Sequence, residues 1–253
     1  MYAYGTAMAG GFLLAWYFVK RWARERGLDA EKIGDLAVTG LVAGIAGGRL
    51  LYVITEWEYF WFNPIAIFKL WEGGLVFYGG LMAAVSVVVW RLRRPFAGLA
   101  APGAPEALFR ARVPLWETAD VFAPAMALAH GVGRIGCFLN GCCYGFPSDR
   151  IGIVFPSLGD GVPRLPVQLI EAAGLFVGAW LLRRWSKSTG RLPFPGSIFF
   201  TYILGYSVWR LGLEFLRADD RGPMLFGVVS ISQFISVCLM VWSFIMIKRL
   251  RNV

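Results

Sequence analysis

HGVGRIGCFLNGCCYGF, His130 to Phe146, is an apolar stretch with one arginine near its middle, closing on Asn140, Gly141, Cys142, Cys143, Tyr144 and Gly145. An arginine at helical depth in a bilayer costs about 2.5 to 3.5 kcal/mol on insertion scales, so it is rarely left facing lipid. Gly133 and Gly136 flank Arg134 and permit close backbone approach. The stretch therefore reads as part of a membrane helix whose arginine meets something anionic.

The rest of the composition agrees. The chain has 253 residues, 57% of them hydrophobic, with 11 Trp, 20 Phe and only 16% charged residues. That is too much apolar surface for a soluble domain and places the chain among all-α polytopic membrane proteins. The net charge of +9 would suggest nucleic acid in a soluble protein. Here the basic residues fall in short blocks beside apolar segments, where they set topology, and a nucleic-acid partner is not expected. Four cysteines, three of them within seven positions, are too few and too badly spaced for a secreted disulfide framework.

Seven apolar segments are legible. Ala3 to Val19 is followed, not preceded, by Lys20, Arg21, Arg24 and Arg26, which predicts a retained span with its amino terminus outside rather than a cleaved leader. Leu36 to Ile54 is interrupted only by Arg49. The aromatic segment Glu56 to Glu72 suits the outer interface. The third span runs from Gly73 to Trp90, and a solvated Pro-, Gly-, Ala- and Arg-rich loop covers about 91 to 114. The fourth is Val121 to Gly141, followed by a small extended excursion over 144 to 166 in which Ile151, Ile153 and Phe155 alternate. Val167 to Leu182, Phe194 to Leu213 and Met224 to Ile247 complete the set. Neither an internal repeat nor a second domain is apparent, so one integral membrane domain over 1–253 is expected.

Charge tests the topology. Of the 25 Lys and Arg, 17 fall in the loops assigned inside. Lys69, Arg150, Arg164, Arg217 and Arg221 fall outside. Seven spans with the amino terminus out and the carboxyl terminus in satisfy the positive-inside rule at every loop.

Arg49, Arg134 and Arg210 remain within spans. At 1.5 Å per residue they lie about 8, 10 and 5 Å below the outer ends of spans two, four and six. Tyr4, Tyr78, Gln168 and Glu171 fall at the same level, on helices running opposite to those of the arginines, which predicts a polar chamber opening to the outer leaflet. Tyr206, Arg210, Glu214 and Arg217, spaced 4, 4 and 3, share one helical face. Glu171, Glu214 and Glu117 could counter-charge these arginines as helix glue. Three guanidinium groups at one depth fit a lipid phosphate or a phosphorylated leaving group better, because the planar fork binds phosphate bidentately. Cys137, Cys142 and Cys143, in C-x4-C-C spacing with His130 seven residues upstream, lack the common C-x2-C signature of a zinc site and read as small packing residues at the chamber's mouth. His130, four residues before Arg134, reads as an interior histidine in the same way.

These residues also carry a resemblance. GRIGCFLNGCCYG, Gly133 to Gly145, resembles the signature segment of the prolipoprotein diacylglyceryl transferases, which opens Gly-Arg-x-Gly-(Asn or Cys)-Phe and closes on glycine. Tyr4-Gly5, Gly48-Arg49, GGLVFYGG at 73 to 80, PVQLIEA at 166 to 172, and Tyr206, Arg210, Glu214 and Arg217 are similar to the family's other landmarks in the same order. The resemblance implies a seven-span enzyme of the bacterial inner membrane that moves the diacylglyceryl group of phosphatidylglycerol onto the lipobox cysteine of a prolipoprotein signal peptide. A thioether forms and glycerol phosphate leaves, on the periplasmic side, where the excursion also lies. Phosphatidylglycerol, the signal peptide and membrane lipids are the implied partners.

The expected catalytic residues are Arg210, Tyr78, Glu214 and Arg134. Arg134, Arg49, Tyr4, Asn140, Gly145, Gln168, Glu171, Tyr206 and Arg217 are expected around phosphatidylglycerol, with neither metal nor cofactor. Two departures from the pattern stand out. Many members have histidine, proposed as the base, where this chain has Tyr78, and Cys137 and Cys142 stand where asparagine and glutamate are frequent.

The substrate thiol, with an ordinary pKa near 8.5, must become a thiolate, and a neutral tyrosine is a poor base for it. Tyrosinate held by arginines, a carboxylate (Glu214 or Glu171), or the positive field acting on the thiol itself could each meet the need, and the field is favoured. A lipid or anion transporter would place polar breaks at mid-membrane in paired repeats, which are not seen. A thiol oxidoreductase would work through Cys142 and Cys143.

Overall fold

A computed structural model describes residues 2–93, 114–188, 193–219, 224–225 and 229–252. Each of the seven apolar segments carries one long helix: α1 (Tyr2–Glu25), α2 (Ala30–Thr55), α4 (Phe77–Arg93), α5 (Leu115–Asn140), α6 (Val167–Ser188), α7 (Ser197–Glu214) and α8 (Ile231–Arg251), with a short α3 (Trp57–Phe62) after α2. Three of them, α2, α5 and α8, are long and apolar enough to cross a membrane by length and composition. The predicted loop at 91 to 114 lies, from 94 to 113, outside the described residues.

The helix ends differ from the sequence reading where local polar chemistry decides them. At α2, Asp29 caps the start by accepting from the amides of Glu31 and Lys32, six residues before the apolar run begins. At α4, Gly73 and Gly74 take φ +88° and +75°, so the helix begins at Phe77 rather than Gly73. The seventh segment does not begin as helix at Met224. Met224–Leu225 (β3) pairs antiparallel with Val229–Ser230 (β4), and Ser230 with Gln233 forms a reciprocal capping box that starts α8 at Ile231.

The chain forms two compact units, Met1–Val19 with Trp116–Val253, and Lys20–Leu115. In the second, α2 and α4 pack backbone to backbone. A Cβ at Gly79 would lie 2.5 Å from the Gly47 carbonyl oxygen, an approach only small residues allow. After α3, 3-10 turns at Pro64–Phe68 and Leu70–Glu72 lead back toward α4, leaving Trp61, Phe62, Ile65, Phe68 and Trp71 at least 75% exposed.

The first unit has its core among α5, α6 and α7. Ala123, Leu182 and Ile198 are buried together, and Ala127, Leu175 and Ala179 form the next layer beneath Tyr202 and Tyr206. Asp120 of α5, 2% exposed, reaches the start of α7, where it accepts from the amides of Gly196 at 2.7 Å and Phe199 at 2.9 Å. A neighbouring helix thus supplies the cap and the negative charge that the dipole of α7 favours. Glu117, offered by the sequence as a counter-charge on this helix, is exposed. Asp120→Ala should lower stability by about 1 to 3 kcal/mol, because buried amides lose their acceptor. Thermal unfolding in detergent checks this, and an unchanged midpoint would mean that water replaces the carboxylate.

The excursion after α5 is a small hairpin. Ile153–Val154 (β1) pairs with Pro163–Arg164 (β2), shorter than the alternation from Ile151 to Phe155 suggested. Phe155 turns inward, 4% exposed, against Phe138 and Tyr144, and Arg164 stacks 5.0 Å from the Tyr144 ring while pairing with Asp160 at 2.6 Å. Gly145 donates to the Leu165 carbonyl at 2.8 Å and bridges to Arg217, tying the hairpin to the end of α7.

Candidate active site

A buried carboxylate organises the first unit. Glu171, on the first turns of α6, is 1% exposed. Its Oε1 receives the Tyr206 hydroxyl of α7 at 2.9 Å and lies 3.0 Å from Arg134 Nη2 of α5. Its Oε2 lies 3.8 Å from Arg210 Nη1 of α7. His130 stands one turn before Arg134, its Nε2 3.5 Å from the Tyr206 hydroxyl and 3.9 Å from Glu171. Three helices therefore contribute one residue or more to a single polar centre, and two guanidinium groups share one counter-ion.

The centre continues along α7. Arg210 Nη2 pairs with Glu214 Oε2 at 2.9 Å, and Glu214 is 1% exposed. Arg217 lies 4.0 Å from the same oxygen and is held more tightly by Asp219, through bonds of 2.8 and 2.6 Å. The shared face of Tyr206, Arg210, Glu214 and Arg217 is present, but its members pair with one another and with α6 rather than standing free. Two donors keep hydrogen-bonding capacity: Arg134 Nε and Arg210 Nη1 are buried and, in the described structure, without a hydrogen-bond partner, the latter meeting Glu171 only at 3.8 Å. Paired guanidinium groups with leftover N–H vectors are fixed in place and can still take an oxyanion.

Beside the arginines, the end of α5 folds over. Gly141 donates to the Phe138 carbonyl at 3.1 Å and Cys142 to the Cys137 carbonyl at 3.2 Å, with Gly141 at φ +71°. This is the double bond of a Schellman cap, and it returns Cys142 over Cys137. Gln168, 1% exposed on α6, donates its side-chain amide to the Cys142 carbonyl. Asn140 is the last residue of α5 and lies within reach of the Cys142 thiol. Tyr4 and Ala7 of α1 lie against Gly136. A hydrogen bond from Cys137, and after it the charge of Arg217, draw the Cys143 thiol below the ordinary cysteine range, while burial pushes Cys142 up.

Arg49 and Tyr78 belong to the other unit. Arg49, 7% exposed, is enclosed by carbonyls: Nε donates to Ile67 at 2.8 Å, Nη1 to Gly73 at 2.6 Å and Gly74 at 3.1 Å, and Nη2 to Ala66 and to Lys69 at 3.4 Å. Its guanidinium also lies over the rings of Tyr52 and Phe60. This one side chain satisfies the orphan carbonyls of the turns after α3 and so holds the aromatic segment in shape. Tyr78 is 45% exposed in the first turn of α4, edge-on to Phe77.

Two contributors escaped the sequence reading. Asp219 looks like an ordinary polar turn residue, although its position two residues after Arg217 is a local signal for the pair. The meeting of the three cysteines was signalled only by Asn140-Gly141, the helix stop that folds the chain back.

A helix long and apolar enough to cross a membrane, α5, brings Arg134 into a buried arginine–carboxylate–tyrosine centre, the mark of a helical membrane protein that holds charge in an apolar setting. The chain belongs to the prolipoprotein diacylglyceryl transferase family, whose model matches residues 1–249. It is 34% identical over 247 residues to phosphatidylglycerol–prolipoprotein diacylglyceryl transferase 2 of Clostridium perfringens, covering 95% of this chain and 88% of that protein. The corresponding enzyme of Clostridium tetani is 33% identical, covering 94% and 88%, and that of Geobacter sulfurreducens 34%, covering 92% and 84%.

Proposed function

We propose that this chain transfers the diacylglyceryl group of phosphatidylglycerol to the cysteine thiol of a prolipoprotein signal peptide, forming a thioether and releasing glycerol phosphate. Family membership over almost the whole chain supports the reaction. The observation that carries the site is the convergence of Arg134 and Arg210, from two helices, on Glu171 of a third, with Arg134 Nε free of any hydrogen bond and Arg210 Nη1 engaged only through its 3.8 Å ion pair. In this reading the two guanidinium groups grip the phosphate and neutralise the charge that develops on the departing glycerol phosphate. Glu171 and Glu214 hold them in register, and Tyr206 fixes the Glu171 carboxylate. Gly145, Asn140, Gln168, Tyr4 and Arg217 shape the mouth beside them. Tyr78 orients the incoming thiol.

Arg49, in the second unit, has a structural part in this reading. Its donors are engaged by carbonyls, so its contribution is to shape the wall of the recess bounded by Tyr52, Tyr59, Phe60 and Gly73. All seven long helices cross the bacterial inner membrane as one domain, amino terminus outside, with the hairpin and the aromatic segment on the periplasmic side. The distribution of Lys and Arg supports this orientation.

The deciding experiment incubates purified protein with phosphatidylglycerol and a lipobox peptide. A peptide gaining the mass of one diacylglyceryl group on its cysteine supports the reading. A peptide left unmodified by protein that is folded and lipid-replete refutes it.

A further inference from the structure

Cys137, Cys142 and Cys143, all reduced and partly buried, bring their three sulfurs within 4.8 Å of one another, and the sulfurs of Cys142 and Cys143 are 3.6 Å apart. Three thiolates bound at 2.3 Å around one zinc-class ion stand about 3.8 to 4.0 Å apart, so the cluster needs only small adjustments to close on an ion. The Schellman cap places the first pair. Cys143 completes the set in the left-handed region, φ +65°, as the sole non-glycine residue there among the described residues. Such a conformation is strained for a residue with a Cβ and persists where surrounding structure over-determines it. An outlier of this kind, with its side chain delivered into a group of like ligands, is difficult to explain as packing.

The surroundings suit an anionic complex. A dication bound by three thiolates carries one net negative charge, and Arg134 and Arg217 lie close enough to the cysteines to interact with them electrostatically. Cys137 is three residues after Arg134 on α5, hence on the same face as the proposed phosphate grip. Soft sulfur donors select zinc-class and other thiophilic ions, and a three-ligand set leaves a fourth position open, the hallmark of a catalytic rather than a structural site.

We propose that Cys137, Cys142 and Cys143 bind one thiophilic d10 cation of the zinc class, whose open fourth position takes the thiol of the incoming peptide. The inference rests on the transfer reading above and supplies the thiol activation that Tyr78 is ill suited to provide. A coordinating thiol is deprotonated outright. The S–H bond breaks as the metal–sulfur bond forms, and the proton passes to solvent. The bound thiolate then attacks the glyceryl carbon. A C–S bond forms, the C–O bond to phosphate breaks, and its electron pair leaves with glycerol phosphate. The thioether is a weaker ligand than the thiolate, so it departs and water takes its place. Nothing is oxidised or reduced.

Cobalt(II) titration of the purified, reduced wild-type protein in detergent tests this. Saturation at one equivalent with a thiolate-to-cobalt charge-transfer band is expected, and a lipobox peptide should raise that band by about a third as a fourth sulfur joins. Cys143→Ser should weaken the band and Cys238→Ser should leave it unchanged. Chelation should abolish transfer and zinc should restore it. Absence of the band in folded protein overturns the site, as does lipidation of the peptide by protein shown to be metal-free, a result that leaves the transfer reading standing. A band indifferent to the peptide overturns the role of the fourth position. A disulfide among the three in actively lipidating protein also overturns the proposal. A cobalt band in protein that never lipidates any lipobox peptide refutes the transfer reading instead.

Discussion

Arg210→Lys should lower diacylglyceryl transfer by about 10²- to 10³-fold, the loss typical of removing one preorganised donor to a developing oxyanion. The charge survives in this variant, so a purely Coulombic role would predict little change. The geometry predicts more, because Arg210 reaches two carboxylates on different helices at once, Glu214 at 2.9 Å and Glu171 at 3.8 Å. A lysine offers one point charge on a flexible stem, satisfies one of those carboxylates and leaves no planar fork for phosphate. The measurement is transfer rate with phosphatidylglycerol in excess, alongside thermal unfolding to establish that the protein remains folded. Near-wild-type transfer would remove Arg210 from the phosphate.

Glu171→Ala should destabilise the protein by about 3 to 5 kcal/mol, the usual cost of removing one partner from a buried ion pair. Glu171 is 1% exposed and is contacted by Arg134, Arg210 and Tyr206 together, so its loss leaves two guanidinium groups short of a counter-charge in an apolar setting. Glu171→Gln, which keeps the volume and an acceptor for Tyr206, should cost less. Thermal unfolding in detergent reads both. The alanine variant should also regain more stability from added phosphatidylglycerol than the wild type does, because a lipid phosphate can stand in for the missing carboxylate. Equal stabilisation of the two proteins would indicate that the phosphate does not meet these arginines.

The balance of charge in the first unit gives the helix-glue alternative its due. Arg134 and Arg210 meet Glu171, Arg210 meets Glu214, and Arg217 is claimed by Asp219. Such pairing is what membrane burial of arginine requires before any substrate arrives. Function then depends on what the pairs leave over, the Arg134 Nε and the hydrogen-bonding capacity of Arg210 Nη1, which meets Glu171 only at ion-pair distance. Arg49 makes the contrast plain, since its donors already have carbonyl partners. All three arginines read alike in the sequence, as single cations within apolar runs.

Sequence alone determined the positions of the long helices, the signature around Arg134, and the common face of Tyr206, Arg210, Glu214 and Arg217. These features repeat within a turn or two of one helix, and the rise and period of an α-helix convert spacing directly into geometry. Tertiary structure decided the rest: Glu171 as the shared counter-ion, Asp120 as the cap of a neighbouring helix, the carbonyl enclosure of Arg49, and the meeting of three thiols across a helix stop. Each of these depends on how helices are rotated and packed against one another, or on backbone turns through positive φ. Such contacts join residues far apart in the chain, and no local pattern of hydrophobicity or charge encodes the rotation that brings them together.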